Sequence, residues 1–243
     1  MNSHIVELPT QLFVVDAQYT LPFAAEVVRY AATLSKPLLR LYVTHYHPDH
    51  LMGAHAFAAP LYALSSVADK IGIVGDRVAS EEHEKVGDEI LDHARRVDQR
   101  VEEGEELIDG LRIVFRRLRN AETEEALVIA LPDADTIIVQ DLIYHGVHPF
   151  LGERHFASWR AAVQKHRTLP YSTVLPGHGT PGGVELYEHM LDYLDFAENA
   201  LKVAPSKADF KRTLLERFPR HGGLKALDHQ LRFLFPQPTL TQH

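Results

Sequence analysis

The stretch Thr44-His45-Tyr46-His47-Pro48-Asp49-His50 constrains this chain more than any other. Three histidines and an aspartate fall within six residues, directly after the apolar run Leu38-Leu39-Arg40-Leu41-Tyr42-Val43. That run is short, continuous and bounded by Pro37, which reads as a buried strand. In a strand, residues two apart point the same way, so His45 and His47 can aim at one point. After Pro48 the chain must turn, and Asp49 and His50 can aim at a neighbouring point. Gathering such groups at a strand end costs free energy unless they have partners. Two nitrogen ligands beside a carboxylate–imidazole pair are what two adjacent divalent metals would need. A solvated loop that happens to be rich in histidine is the bland alternative, and the spacing argues against it.

The rest of the composition narrows the setting. The chain has 243 residues, 45% of them hydrophobic, enough for one sizeable core or one large domain of two similar halves. No low-complexity linker divides it, so a single domain over residues 1–243 is expected, with a helical C-terminal extension from about 184 to 243. The net charge of -8 argues against a broad nucleic-acid surface. No apolar stretch approaches the ~20 residues of a membrane span, and the start does not read as a signal peptide. With no cysteine, any transition metal must be held by His, Asp or Glu. A cytoplasmic location is the expectation.

Elsewhere strands and helices alternate. Strands are expected over His4–Leu8, Leu12–Asp16, Leu61–Leu64, Glu125–Leu131, Thr136–Gln140 and Ser172–Leu175. Helical spacing covers 24–35, 51–58 and 153–166. Ser65–Arg96 reads as mostly helical but interrupted at Gly72, Gly75 and Gly87. Asp109-Gly110 marks a hairpin within the strand region 101–120. Trp159 is expected in the core. The tail 208–235 carries apolar positions that pack on their own domain or on a second subunit, so a homodimer is possible. Of the 16 histidines, His83, His93, His166, His189, His221, His229 and His243 receive no role.

H-x-H-x-D-H over residues 45–50, with Gly53 three positions later, resembles the signature of the metallo-β-lactamase fold superfamily. Asp16 at the end of "LFVVD", Asp141 in "IIVQDLI" and His178 in "LPGHG" follow in that family's order, over roughly residues 5–190. The resemblance implies an α+β fold. It is an αββα four-layer sandwich, two mixed sheets face to face with helices outside and a metal site along one edge. It assigns His45 and His47 to a first metal and Asp49, His50 and His178 to a second, with Asp141 between them. The cofactor implied is a divalent metal, zinc first, with iron or manganese as alternatives.

The chain departs from that pattern at one ligand. The family usually supplies a further histidine to the first metal from a loop between two strands. Here the corresponding stretch is "RNAETEEALVIALP", and the position falls on Glu122. Three readings stay open: Glu122 is itself a ligand; the first site is weak or empty; or His145 or His148 reaches in from "YHGVHPF". An ordinary acidic loop also fits, because Glu124 and Glu125 are acidic too. His145 and His148 are further considered as substrate contacts. By the same resemblance, a strand that usually precedes His4–Leu8 is expected to be missing.

The chemistry expected is hydrolysis by a metal-bound hydroxide, with Asp49 ligating and orienting or deprotonating the water. The expected partner is a small-molecule ester, thioester, lactone or related substrate. An iron-dependent redox enzyme on the same scaffold and a non-catalytic binding member are the alternatives.

Overall fold

The computed structural model of the protein describes residues 1–236; His243 lies outside the described residues. Two five-stranded mixed sheets make up the centre. The first has the order β1 (His4–Glu7), β2 (Leu12–Val15), β3 (Leu38–Tyr42), β4 (Leu61–Leu64) and β5 (Gln99–Val101). Its β1 and β2 pair antiparallel, and the remaining neighbours are parallel. The second runs from β10 (Thr173–Gly179) through β9 (Thr136–His145), β8 (Glu125–Leu131) and β7 (Leu111–Arg119) to β6 (Gly104–Ile108). Here β10 and β9 are parallel, and the rest antiparallel. The helices are α1 (Leu21–Thr33), α2 (Pro48–Leu51), α3 (Ser65–Val86), α4 (Phe156–Arg167), α5 (Glu185–Val203), α6 (Lys207–Arg217) and α7 (Leu224–Leu234).

Strand periodicity builds two cores. Along β8, Leu127, Ile129 and Leu131 face the first sheet and pack with Phe13, Tyr42 and Phe115. The intervening Ala126, Val128 and Ala130 face the other way and pack with Trp159, Leu194 and Phe210. Every second residue changes face, so one strand serves both layers of apolar contact. The layer order is therefore helices α1 and α3, first sheet, second sheet, then helices α4 to α7. The αββα expectation holds. The apolar positions of the tail, among them Phe210, Leu214, Leu227 and Leu231, are buried in the second core, so the tail packs on its own chain.

Several element bounds differ from those read off the sequence. Helix α3 runs unbroken through Gly72 and Gly75 and ends only at Gly87, whose φ is 67°. A glycine inside a helix costs about 1 kcal/mol, which a buried stripe such as Val67, Ile71 and Ala79 outweighs. At Gly75 an added Cβ would lie 2.9 Å from that of Ala94, so the glycine also permits close packing. The helix expected over 51–58 instead opens with Pro48 in α2 and tightens into a 3₁₀ turn over Met52–Ala56. Proline's fixed φ suits a first helical turn, so Pro48 opens a helix inside the histidine motif. Helix α4 begins at Phe156, not at 153. Strands β9 and β10 each run beyond the expected end, through Asp141 and through Pro176-Gly177-His178-Gly179. No helix among the described residues is long and apolar enough to cross a membrane.

Candidate metal centre

The residues expected at the site converge where strand ends of both sheets meet. His45 follows β3, and its Nε2 lies 3.6 Å from Glu122 Oε2 and 3.9 Å from Asp141 Oδ2. His47 Nδ1 lies 3.1 Å from Glu122 Oε1. Beside them, His50 Nε2 is 3.6 Å from Asp49 Oδ2 and 3.3 Å from Asp141 Oδ1. His178 Nε2 is 3.2 Å from Asp49 Oδ2 and 3.4 Å from Asp141 Oδ2. Three overlapping donor groups result: His45 with His47 and Glu122, His45 with His50 and Asp141, and Asp49 with His50 and His178. The family resemblance pointed to these seven residues, Glu122 as one of three open readings, and the fold brings the seven together.

The donor atoms fit divalent cations on grounds of their own. His45 Nε2, His50 Nε2, both Glu122 oxygens and Asp141 Oδ1 are buried and have no hydrogen-bond partner. Buried polar atoms are rarely left so, and a buried carboxylate least of all. Their separations are also informative. Tetrahedral ligands about 2.0–2.1 Å from a zinc ion stand about 3.3 Å from each other. The spacings of 3.1–3.9 Å centre on that edge rather than on hydrogen-bond lengths.

Glu122 is distinguished from its acidic neighbours by direction. Its side chain is 2% exposed and turns inward. Glu124 is 61% exposed and pairs with Lys70, and Glu125 pairs with Arg117. The tight turn that does this places Asn120 at φ 48° and closes through hydrogen bonds from Asn120 N to Glu124 O and from Ala121 N to Thr123 O. His155 Nδ1 lies 3.2 Å from Ala121 O, on the same turn.

A second ring of contacts orients the donors. Asp16 is fully buried, with φ 65°. It accepts from Thr44 N at 2.7 Å, from Thr44 Oγ1 at 2.8 Å, from His50 Nδ1 at 2.7 Å and from Gln140 Nε2. This carboxylate holds the far nitrogen of His50 and leaves Nε2 free, the arrangement that fixes a ligating imidazole. Thr44 Oγ1 stands 3.1 Å from His45 Nδ1 and does the same for that ring. On the other strand, Gly177 and Gly179 are demanded by contact. A Cβ on Gly177 would sit 1.8 Å from Asp141 Oδ1, and one on Gly179 1.7 Å from His145 O. Register shifts on both sides of Pro176 bend β10 and re-aim His178.

Electrostatics follow from this packing. Burial, with His50 and His47 nearby, holds His45 well below the usual histidine range, so it is neutral, as a ligand must be. Burial pushes Glu122 up to about 7, against the opposing pull of His47. For His178, burial works downward, but Asp141 and Asp49 more than offset it and raise the group to about 9. His50 is raised well above its ordinary value by Asp141, Asp49 and Asp16, again against burial. Asp49 and Asp141 are lowered, burial being outweighed chiefly by His50 and His178. The carboxylates thus favour positive charge on His50 and His178, the charge that bound cations would otherwise supply.

One contact residue was not foreseen. Tyr144 donates to Asp141 Oδ2 at 2.5 Å, and its ring stacks on His178 with centroids 4.7 Å apart and planes 5° from parallel. Regular alternation would send Gln140 and Asp141 to opposite faces. Gln140 has φ 43°, and this kink lets both turn into the site. No pattern in the sequence marks the kink.

The two residues considered as substrate contacts lie elsewhere. His148 is fully buried and bonds Tyr193 Oη through Nδ1 at 2.7 Å, packing against His221. His145 Nδ1 lies 2.9 Å from Thr180 O, and its ring stacks on His189. Neither joins a donor group, so neither supplies the missing histidine. Their partners His189 and Tyr193 both belong to α5. His55 is placed against His93, outside the site.

The two-sheet sandwich thus carries a buried His/Asp/Glu cluster at its edge. Residues 2–178 match the model of the metallo-beta-lactamase superfamily, and the chain belongs to that superfamily. It resembles a metallo-beta-lactamase from Pontibacter korlensis, with a TM-score of 0.66 and 18% identity over 79% of this chain and 85% of that one. The mono-zinc form of FIM-1 from Pseudomonas aeruginosa superposes with a TM-score of 0.61 and 21% identity, over 79% and 81% of the two chains. At these identities the likeness is one of fold. A linear primary-alkylsulfatase of Pseudomonas sp. (strain ATCC 19151) is 24% identical over 228 residues, 77% of this chain; the match spans 43% of that enzyme's length.

Proposed function

We propose that the protein is a metal-dependent hydrolase of small esters, taking thioesters, lactones or sulfate esters as related substrates. The observation that carries this reading is the run of three overlapping donor groups, with Asp141 near His45, His50 and His178 and five buried donor atoms lacking any hydrogen-bond partner. His45, His47 and Glu122 would hold one divalent cation. Asp49, His50 and His178 would hold another, with Asp141 reaching both. Such cations supply Lewis acidity and lower the pKa of water toward neutrality. Each set offers two imidazoles and a carboxylate, which suits zinc and is hospitable to manganese or iron as well.

The chain's own residues do the rest. Asp49 is 36% exposed, the most open of the ligand carboxylates, and stands 3.2 Å from His178 Nε2. From that position it orients a water and accepts its proton. Asp16 and Thr44 keep His50 and His45 in the ligating orientation. Tyr144 restrains Asp141. Sulfate esters enter the substrate range because of the alkylsulfatase relative.

Elemental analysis of protein purified without added metal tests the proposal, run beside Glu122→Ala. About two metals per chain, with one lost in the variant, is the expected result. Zinc- or manganese-dependent turnover of acetate esters, abolished by chelation, should accompany it. Iron with oxygen-dependent turnover would replace hydrolysis by redox chemistry. One metal, unchanged in Glu122→Ala, would remove Glu122 from the ligand set.

A further inference from the structure

A cavity of about 720 Å³ lies between the end of β9, helix α5 and the turn that joins α6 to α7. His145, His189, His221, Arg217 and Arg220 line it, with Asp192 the one carboxylate among the lining residues. Tyr144, whose ring stacks on His178, reaches the same cavity. The turn is pinned in place by its backbone. Gly222 N donates to Gly146 O at 2.8 Å, and His148 N donates to Gly222 O at 3.0 Å. Beyond the turn, Leu227 and Leu231 of α7 are buried in the second core, which holds this wall against α5.

The lining is positive on a chain whose net charge is -8. Its two guanidinium groups face a single carboxylate. That carboxylate is already engaged: Arg217 Nη2 donates to Asp192 Oδ2 at 2.9 Å and to Oδ1 at 3.2 Å. Glu185, close enough to feel His189 and His145, accepts from Gly183 N at 2.7 Å. The neighbouring arginine ion pairs belong to Arg160, Arg167, Arg212 and Arg217, so Arg220 has no carboxylate partner among the described residues. The rings keep spare capacity as well. His145 turns Nδ1 to Thr180 O and leaves Nε2 free. His189 and His221 meet other rings, His145 and Tyr193, each at 5.8 Å between centroids. Against His221 lies the fully buried His148, whose Nε2 has no hydrogen-bond partner. A metal ion is the wrong occupant. The guanidinium groups repel it, and no three of these rings bring donor atoms within ligating reach of one another among the described residues.

We propose that this cavity is an oxyanion site, in which Arg220 and the ring N–H groups of His189 and His221 hold a phosphate- or sulfate-like group. A concave surface of one sign concentrates ions of the other. A guanidinium offers its donors in a fixed fork that matches two oxygens of such a group, and even a neutral imidazole donates one N–H. Two sources share this chemistry: a free oxyanion, and the acidic end of an ester whose other end lies at the metal centre past Tyr144. The site itself stands apart from the hydrolase reading; only the second source rests on it.

The test is calorimetric titration of the metal-loaded full chain with inorganic phosphate. Arg220→Ser should weaken binding about tenfold, the loss of charge-assisted hydrogen bonds at an open position. His189→Ala should weaken it about threefold. Asp192→Asn should tighten it about twofold, because the one lining carboxylate is gone. All three positions are exposed, so the fold is not at stake. Absence of phosphate binding in the parent overturns the site. So does binding that none of the three changes moves, since that phosphate sits on the metals. Hydrolysis of a neutral acetate ester is then compared with that of an acetate ester bearing a phosphate group. A KM that Arg220→Ser raises for the phosphorylated ester alone identifies the acidic end of a substrate. KM values that it leaves unchanged identify a free oxyanion. A titration that moves as expected in a protein without hydrolysis keeps the site and removes the hydrolase reading.

Discussion

The molecule holds two clusters of histidines, and they behave in opposite ways. His45, His47, His50 and His178 stand among Asp16, Asp49, Glu122 and Asp141. His145, His148, His189 and His221 lie around the end of β9 and α5, and form no ion pair with a carboxylate among the described residues. In the first cluster carboxylates raise His47, His50 and His178 despite burial. In the second, burial and neighbouring imidazoles lower His148 and His221. The same residue type is thus a cation-balancing group in one place and a neutral packing group in the other. Imidazole density alone does not make a metal site; the carboxylates do, because they make positive charge welcome.

The largest test of this contrast removes the carboxylate common to both donor sets. Asp141→Ala should empty both sites and leave the second cluster without metal as well. A cation acting as Lewis acid contributes several kcal/mol to a transition state. At tenfold per 1.36 kcal/mol, turnover should fall by about a thousandfold or more. Metal bound by this variant at the original level would mean that the second cluster binds too, and the contrast would collapse.

A smaller effect is expected one contact further out. Asp16 touches no candidate metal position, but its Oδ2 accepts from His50 Nδ1. Asp16→Asn should weaken metal affinity by roughly 10- to 100-fold, the usual cost of removing such an orienting group. The loss should be larger in the set containing His50, which Asp16 touches directly, than in the set containing Glu122, which it reaches only through Thr44 and His45. Competition titrations with a chromophoric chelator resolve the two affinities.

The first cluster should also show what Glu122 costs when no metal is present. Its folded pKa of about 7 exceeds the ordinary 4.5, so the folded chain holds a proton that the unfolded chain has released. The stabilisation from that proton is complete below 4.5 and is lost as pH rises toward 7. In chelated protein, Glu122→Gln should therefore gain on the order of 2–3 kcal/mol relative to the parent between those limits. Denaturant unfolding at several pH values measures it. After metal loading the sign should reverse, because the glutamine no longer neutralises a cation. A parent and variant that keep a constant difference across pH would show that Glu122 is not the buried carboxylate described.

The sequence was legible where chemistry and local pattern coincide. His45, His47, Asp49 and His50 sit in one motif at the end of a strand whose apolar run announces it. The two-sheet architecture followed from the resemblance to the metallo-β-lactamase fold, which the motif and the order of later elements carried. Glu122 was reachable only by counting from β8, and its inward direction depends on a turn with Asn120 at φ 48° that no residue pattern declares. Tyr144 was missed because the kink at Gln140 breaks the alternation by which strand faces are read. His145 and His148 were drawn toward the site by proximity in sequence to Asp141. There they meet His189 and Tyr193 of α5 instead. The unbroken helix through Gly72 and Gly75 shows long-range packing overriding a local preference.

The second cluster supplies the sharpest test. His148 is buried, and burial lowers it to about 4, with His221 adding to the effect. The unfolded chain binds this proton near 6.5, while the folded chain refuses it until about 4. Between those values the unfolded state holds more protons, so stability falls as the solution is acidified. The contribution is whole above 6.5, declines through the window and levels off below about 4. At about 1.4 kcal/mol per pK unit over this window, it is on the order of 3 kcal/mol. His148→Gln removes the titration while keeping a polar side chain beside Tyr193. Comparing the two chelated proteins from pH 7 to pH 4, the parent should lose that much more stability than the variant. The difference should be insensitive to Glu122→Gln, since the two residues titrate in separate clusters. If instead the parent becomes more stable on acidification relative to His148→Gln, this histidine has found a carboxylate. The two clusters would then be of one kind.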